Sequence, residues 1–195
     1  MTRPKPIAVV ALVVGVAAIV WLLFAGVPRV GDPPPPGQTG AEAPPPGPER
    51  RINVTLFFIS EDGLALVGAQ REVAFGEPVS EQARRIVEAQ LGASPAPLAR
   101  AIPEGTTLRS LFVSANGEAF VDLSGDVTTR HTGGALDELF TVYAVVNALT
   151  VNLPAVTRVQ ILIDGKEVDT LAGHVDLRHP LHKSMNWVRT EKDAS

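Results

Sequence analysis

Residues 7–27 read IAVVALVVGVAAIVWLLFAGV, a run of 21 residues in which only Gly15 and Gly26 are not apolar and none is charged. As a helix rising 1.5 Å per residue, this run is about 31 Å long, close to the roughly 30 Å hydrocarbon core of a bilayer. A core helix of a soluble domain carries a polar stripe, and this run has none. A cleavable signal peptide has a shorter apolar region of about 7–15 residues and small residues before the cleavage site. Here the small pair Ala25 and Gly26 is preceded by Leu23 and Phe24, where a small residue is needed. The reading is therefore an uncleaved transmembrane anchor. Arg3 and Lys5 precede it, and Arg29 follows beside Asp32. That bias keeps residues 1–6 in the cytoplasm and sends everything after residue 28 outside a bacterial-type cytoplasmic membrane, as a single-pass protein. Trp21 near the outer end suits an interfacial anchor.

Next comes a linker. Residues 28–50, PRVGDPPPPGQTGAEAPPPGPER, hold nine of the 17 prolines, and only Val30, Ala41 and Ala43 are apolar. Such a segment cannot bury a core and stays solvated and disordered. Its proline runs favour polyproline II, giving a semi-rigid stalk of up to roughly 70 Å at about 3.1 Å per residue. A PxxP ligand has the same composition, but a spacer needs nothing more than that composition. The chain contains no cysteine, which excludes disulfides, a Cys nucleophile, thiolate metal sites and a lipidated N-terminal Cys. A net charge of −4 does not suit nucleic-acid binding.

Residues 51–183 suffice for one core. Ile52, Val54, Leu56 and Phe58 alternate as in a strand. Glu61-Asp62-Gly63 turns the chain, and Leu64–Phe75 returns as a second strand. Pro78 marks a helix start, Val79, Ala83, Ile86, Val87 and Leu91 keep helical spacing, and Gly92 ends the helix. Residues 93–101 read as loop. Leu108–Ser114 and Glu118–Leu123 flank Asn116-Gly117, a hairpin signal. Thr132 is placed to cap a second helix over 134–150, apolar nearly all round and so the more buried of the two. Val156–Ile163 is an apolar strand, and Asp164-Gly165 predicts a hairpin with Val168–Leu171. The expected fold class is α+β: two helices packed on an antiparallel or mixed β-sheet, preceded by the transmembrane helix and Pro-rich linker. Residues 184–195 read as a C-terminal tail.

Several short motifs in this order carry a resemblance. Ile102-Pro103-Glu104-Gly105-Thr106, Val121-Asp122-Leu123-Ser124, Tyr143–Thr150, Ile161-Leu162-Ile163-Asp164-Gly165 and Gly173-His174-Val175-Asp176-Leu177 together resemble the GerMN domain of the sporulation and germination family, over about residues 52–182. The resemblance implies a compact α+β domain, usually extracytoplasmic, on a membrane anchor or lipoprotein. It also implies likeness to ring-building domains, and it brings no established catalytic residues.

The candidate chemistry is thin. His174, His179 and His182, with Asp176 nearby, are spaced by five and three, which matches no metal motif, so they read as surface histidines. Asp137 and Glu138 are helix neighbours pointing about 100° apart, and favourable charge in a first helical turn explains them better than proton transfer. Gly165-Lys166 ends like a phosphate loop, but Gln160 stands where that loop needs glycine. No G-x-S-x-G occurs. Asn147 is the one strong hydrogen-bonding side chain in the apolar stretch 142–149; it is expected to tie its helix to a neighbouring loop such as Asp122–Ser124. Asp122 is expected to bond backbone groups in the 124–130 loop. No catalytic, cofactor-binding or metal-ligating residue is assigned, and no cofactor. The expected function is a non-catalytic, membrane-anchored interaction domain assembling with itself or with envelope proteins. The alternatives are a cell-wall or small-ligand binding module, weakened by Tyr143 being the only tyrosine, and an unrecognised hydrolase.

Overall fold

The computed structural model describes residues 50–189. The expected cytoplasmic N-terminus (1–6), the membrane segment (7–27), nearly all of the linker (28–50) and the last six residues lie outside them. Among the described residues no helix is long and apolar enough to cross a membrane.

Strand β1 (Arg51–Ile59) and β2 (Leu66–Ala74) form an antiparallel hairpin in the register Arg51↔Ala74 to Ile59↔Leu66. Val54, Leu56 and Phe58 are buried, as their alternation requires, and so is Phe57. Phe57 lies opposite Gly68, where a Cβ would come within 2.9 Å of Thr55 Cγ2, so a side chain here would force Thr55 to shift. Helix α1 (Val79–Gln90) follows, then β3 (Leu108–Val113), β4 (Glu118–Leu123), the short helix α2 (Asp126–Thr129) and the long helix α3 (Ala135–Asn152). Strands β5 (Arg158–Ile163), β6 (Lys166–Glu167), β7 (Leu181–His182) and β8 (Val188–Arg189) complete the described residues.

The α+β class is as expected, with one more helix than expected and two sheets in place of one. The first sheet has the order β1-β2-β8, with β8 parallel to β2. The second has the order β3-β4-β5-β6, with β7 also on β5. β4 and β5 run parallel from Glu118↔Arg158 to Leu123↔Ile163, and α2 and α3 make the crossover between them. α3 packs on β1, α1 and β5. Phe140, Val142, Val145, Val146 and Leu149 are fully buried, each worth about 1.5–3 kcal/mol of transfer free energy.

The outer edge of β1 is closed without a further strand. Gln90, the last residue of α1, accepts from the Phe57 N–H (2.8 Å) and donates to the Phe57 carbonyl (2.7 Å). Asn152, the last residue of α3, accepts from the Thr55 N–H (2.8 Å) and donates to the Thr55 carbonyl (2.7 Å). Ile59 and Ala99 exchange two backbone bonds of 2.9 Å. Each outward backbone pair from Thr55 to Ile59 is thereby satisfied without another strand.

Three local expectations need correcting. Thr132 does not cap α3: the N-cap is Gly134 at φ +94°, and the Thr132 hydroxyl donates to Asp137 Oδ2 (3.2 Å) instead. The Asp164-Gly165 turn, with φ of +50° and +77°, returns only as the two-residue β6, because Leu171 is drawn away into the core. The chain beyond residue 183 folds back: Leu66 N–H donates to Trp187 O (2.8 Å), and Arg189 pairs with Asp62 (2.8 Å).

Candidate functional site

A cleft of about 390 Å³ is lined by Arg100, Glu104, Arg130, His131, Asp137 and Thr141, among others. Its histidine is fully engaged. Nδ1 of His131 accepts from the Gly133 N–H (3.0 Å), so Nε2 carries the proton and donates to Thr141 Oγ1 (3.2 Å). The Thr141 hydroxyl in turn donates to Ala101 O (2.6 Å). The threonine proton therefore points away from the imidazole, the reverse of a nucleophile held by its base. The two arginines are held as well, Arg130 by Asp126 (3.1 Å) and Arg100 by Leu91 O (2.6 Å).

His174 and His182 take separate partners. His174 Nδ1 meets Glu138 (3.0 Å), His182 Nδ1 meets Thr157 O (3.1 Å), and Asp176 beside them is taken by Arg178 (2.7 and 2.9 Å). Among the described residues no group of three or more His, Asp or Glu is placed to hold a metal ion. Asp137 and Glu138 diverge, as their helical offset requires. Asp137 stays at the surface with Thr132, but Glu138 is 0% exposed. Its carboxylate accepts from the backbone N–H of Leu171 (2.9 Å), Ala172 (2.8 Å) and His174 (2.8 Å). Burial opposes its ionisation, yet the N–H groups of Ala172, Val175 and His174 and the His174 ring outweigh that and hold its pKa below the ordinary carboxylate value. Glu138 is thus the peg around which the 171–175 loop is wound, not a surface charge at a helix start.

Asn147 ties α3 to a loop, but to a different one from that expected: it donates to Ser184 O (2.7 Å) and accepts from Ser184 N–H (3.1 Å). Asp122 bonds the Gly165 N–H (2.8 Å) and not the 124–130 loop. Arg109 bridges Asp122 (3.2 Å) and Asp164 (2.7 Å), which fastens β3, β4 and the β5–β6 turn together. Gly165 completes that turn and Lys166 begins β6.

Two strand edges keep hydrogen-bonding groups open among the described residues: that of β2 beyond its two-residue pairing with β8, and that of β3. Ser114 N–H donates to Glu118 O (2.8 Å), and Gly117, at φ +76°, closes the turn onto Ser114 O (3.1 Å). From there the register Phe112↔Phe120 and Ser110↔Asp122 follows. Alternation points the backbone of Ser110, Phe112 and Ser114 at β4, and that of Leu111 and Val113 outward. β3 ends its sheet, and among the described residues nothing hydrogen-bonds to Leu111 or Val113 on that side. Beside this edge Phe112 is 62% exposed, its ring centroid 6.3 Å from that of Phe120. A bulge between Leu108 and Ser110 limits the regular edge to these few residues. Sequence reasoning located the strand but not its openness, since openness depends on what the rest of the chain leaves uncovered.

The family model described as Germane, sporulation and spore germination, matches residues 55–169. No curated protein matches the chain. Among solved structures, the tandem GerMN domains of the sporulation protein GerM from Bacillus subtilis share the fold, with 20% identity and a TM-score of 0.57. That match covers 68% of this chain and 46% of the tandem structure. The first GerMN domain of the same protein is 19% identical at a TM-score of 0.50, covering 68% of this chain and 95% of that domain.

Proposed function

Because the chain belongs to the Germane family of sporulation and spore germination domains, we propose that it is a non-catalytic interaction module that assembles with itself or with envelope proteins. In this reading residues 7–27 hold it in a bacterial-type cytoplasmic membrane, N-terminus inside, and the stalk 28–50 carries the folded domain outside. One contrast supports it. The side chains that could do chemistry spend their hydrogen bonds inside the domain, as His131 and Glu138 do, while β3 leaves backbone donors and acceptors open beside an exposed ring. An open edge of this kind recognises an extended partner strand.

Two experiments test the proposal. Protease added outside spheroplasts degrades the domain and leaves a membrane-bound N-terminal stub; a domain that survives refutes the orientation. Replacing His131, His179, His182 or Asp137 singly by Ala leaves activity in cells, whereas Val113→Pro, which removes one outward donor, loses partner capture. A folded alanine variant that abolishes activity while capture persists would favour a hydrolase or ligand-binding cleft at the site of His131.

A further inference from the structure

The open edge of β3 has a self-complementary register, and we propose that it pairs with the same strand of a second copy of this chain. Two residues offer outward backbone pairs, Leu111 and Val113, and they flank Phe112. For two copies related by a two-fold axis, antiparallel pairing must match these residues with each other. Leu111 opposite Val113 of the partner copy satisfies all four outward N–H and all four outward C=O groups in play, through four backbone bonds. Shifting by two residues either way pairs only one outward residue with itself. The other then meets the bulge near Arg109 in one direction or the turn at Ala115 in the other.

That register has a consequence for side chains. Phe112 falls directly opposite its own copy, in a pair not joined by hydrogen bonds. This is the geometry in which side chains on one face approach most closely. The ring already tilted against Phe120 would join the corresponding two rings across the axis. Ser110 falls opposite Ser114, two hydroxyls that suit a cross-strand pair. The contact is isologous and closes on itself, so it makes a dimer and not a fibre. The other sheet differs: β1 is closed by Gln90, Asn152 and Ala99, and β2 is covered by β8 at Leu66 and Val67 and, beyond them, carries no exposed ring but the polar side chains of Gln70 and Glu72, the Glu72 carbonyl accepting from Arg51 (3.3 Å).

This inference rests on the interaction reading and names its partner. The chain has no cysteine, so single thiols can be placed cleanly. The full chain is held in membranes and oxidised with copper phenanthroline. Phe112→Cys puts two Cα atoms about 4.5–5.5 Å apart, within the span of a disulfide. It is expected to give a covalent dimer at least about tenfold faster than Leu64→Cys, an exposed control far along the chain, because pairing raises the effective concentration. Ser110→Cys and Ser114→Cys each stay monomeric, since identical positions are then about 14 Å apart, but the two variants mixed crosslink to each other. Adding Val113→Pro to Phe112→Cys abolishes the dimer without breaking the β4 ladder, because that N–H points outward. Phe112→Cys reacting no faster than Leu64→Cys overturns self-pairing. If Val113→Pro still loses capture of another envelope protein in that case, the interaction reading stands alone. Equal crosslinking at residues 110, 112 and 114 overturns the register. If Val113→Pro fails to fold, the mixed serine variants decide the matter.

Discussion

Gln90→Met tests how the first sheet is kept from growing. The substitution keeps an unbranched chain of similar volume and deletes both polar atoms. It leaves the Phe57 N–H and carbonyl, bonded to Gln90 at 2.8 and 2.7 Å, buried without partners. Each orphaned group costs about 1–3 kcal/mol, so the loss is about 2–6 kcal/mol in all. At about 3 °C per kcal/mol for a domain of this size, the midpoint of thermal unfolding falls by about 6–18 °C. Asn152→Met loses less, because the groups around Thr55 are only part-buried and water can replace the amide. The assay is urea and thermal unfolding by circular dichroism on residues 46–195, together with hydrogen exchange at the Phe57 amide. A loss below about 1 kcal/mol with exchange protection unchanged would refute the reasoning, since the edge would then be satisfied some other way.

Three further outcomes are expected. Residues 46–195 unfold cooperatively on their own; a soluble fragment with no cooperative transition contradicts a domain that folds alone. Glu138→Gln costs about 2–4 kcal/mol at pH 7, where the native carboxylate is charged and multiply bonded. Because the folded pKa lies below the ordinary 4.5, that contribution is complete above pH 4.5 and fades as pH falls through the folded value. The gap between wild type and variant in urea midpoint should therefore shrink from pH 7 to pH 3, and a constant gap would reject the electrostatic account. Asn147→Leu frees Ser184 and loses about 1–3 kcal/mol, seen as faster limited proteolysis within 184–189; unchanged cleavage would show that the strand β8 alone holds this segment.

Periodicity made much of the architecture legible. The alternation at 52–58, the helical spacing from 79 to 91 and the all-round apolar character after Glu138 each mark an element that the structure contains. Non-local pairing was not legible. Gln90 reads as an ordinary polar residue at a helix end, although it falls on the stripe of Ala83, Ile86 and Val87, and that placement was an available signal. Glu138 shares a face with Val142 and Val145, so its burial was also foreshadowed, but an acidic residue in a first turn has a simpler explanation. Val168 and Leu171 imitate a strand because a loop wound on a carboxylate can bury apolar residues without a ladder. The two-residue β8 is too short to show any period.

The return of the C-terminal segment to β2 also has a kinetic meaning. The bond from Leu66 to Trp187 and the pair Asn147–Ser184 can form only once residues 184–187 have been made. Contacts this distant along the chain slow folding, because loop closure precedes the gain. They also make the domain sensitive to completeness. A product truncated before Ser184 would keep its helices and most of its sheets, yet it would expose the Asn147 amide and strip β2 of its covering strand. Such a fragment would lengthen the raw edge of β2 and invite degradation, so residues 184–189 are a condition for a finished first sheet.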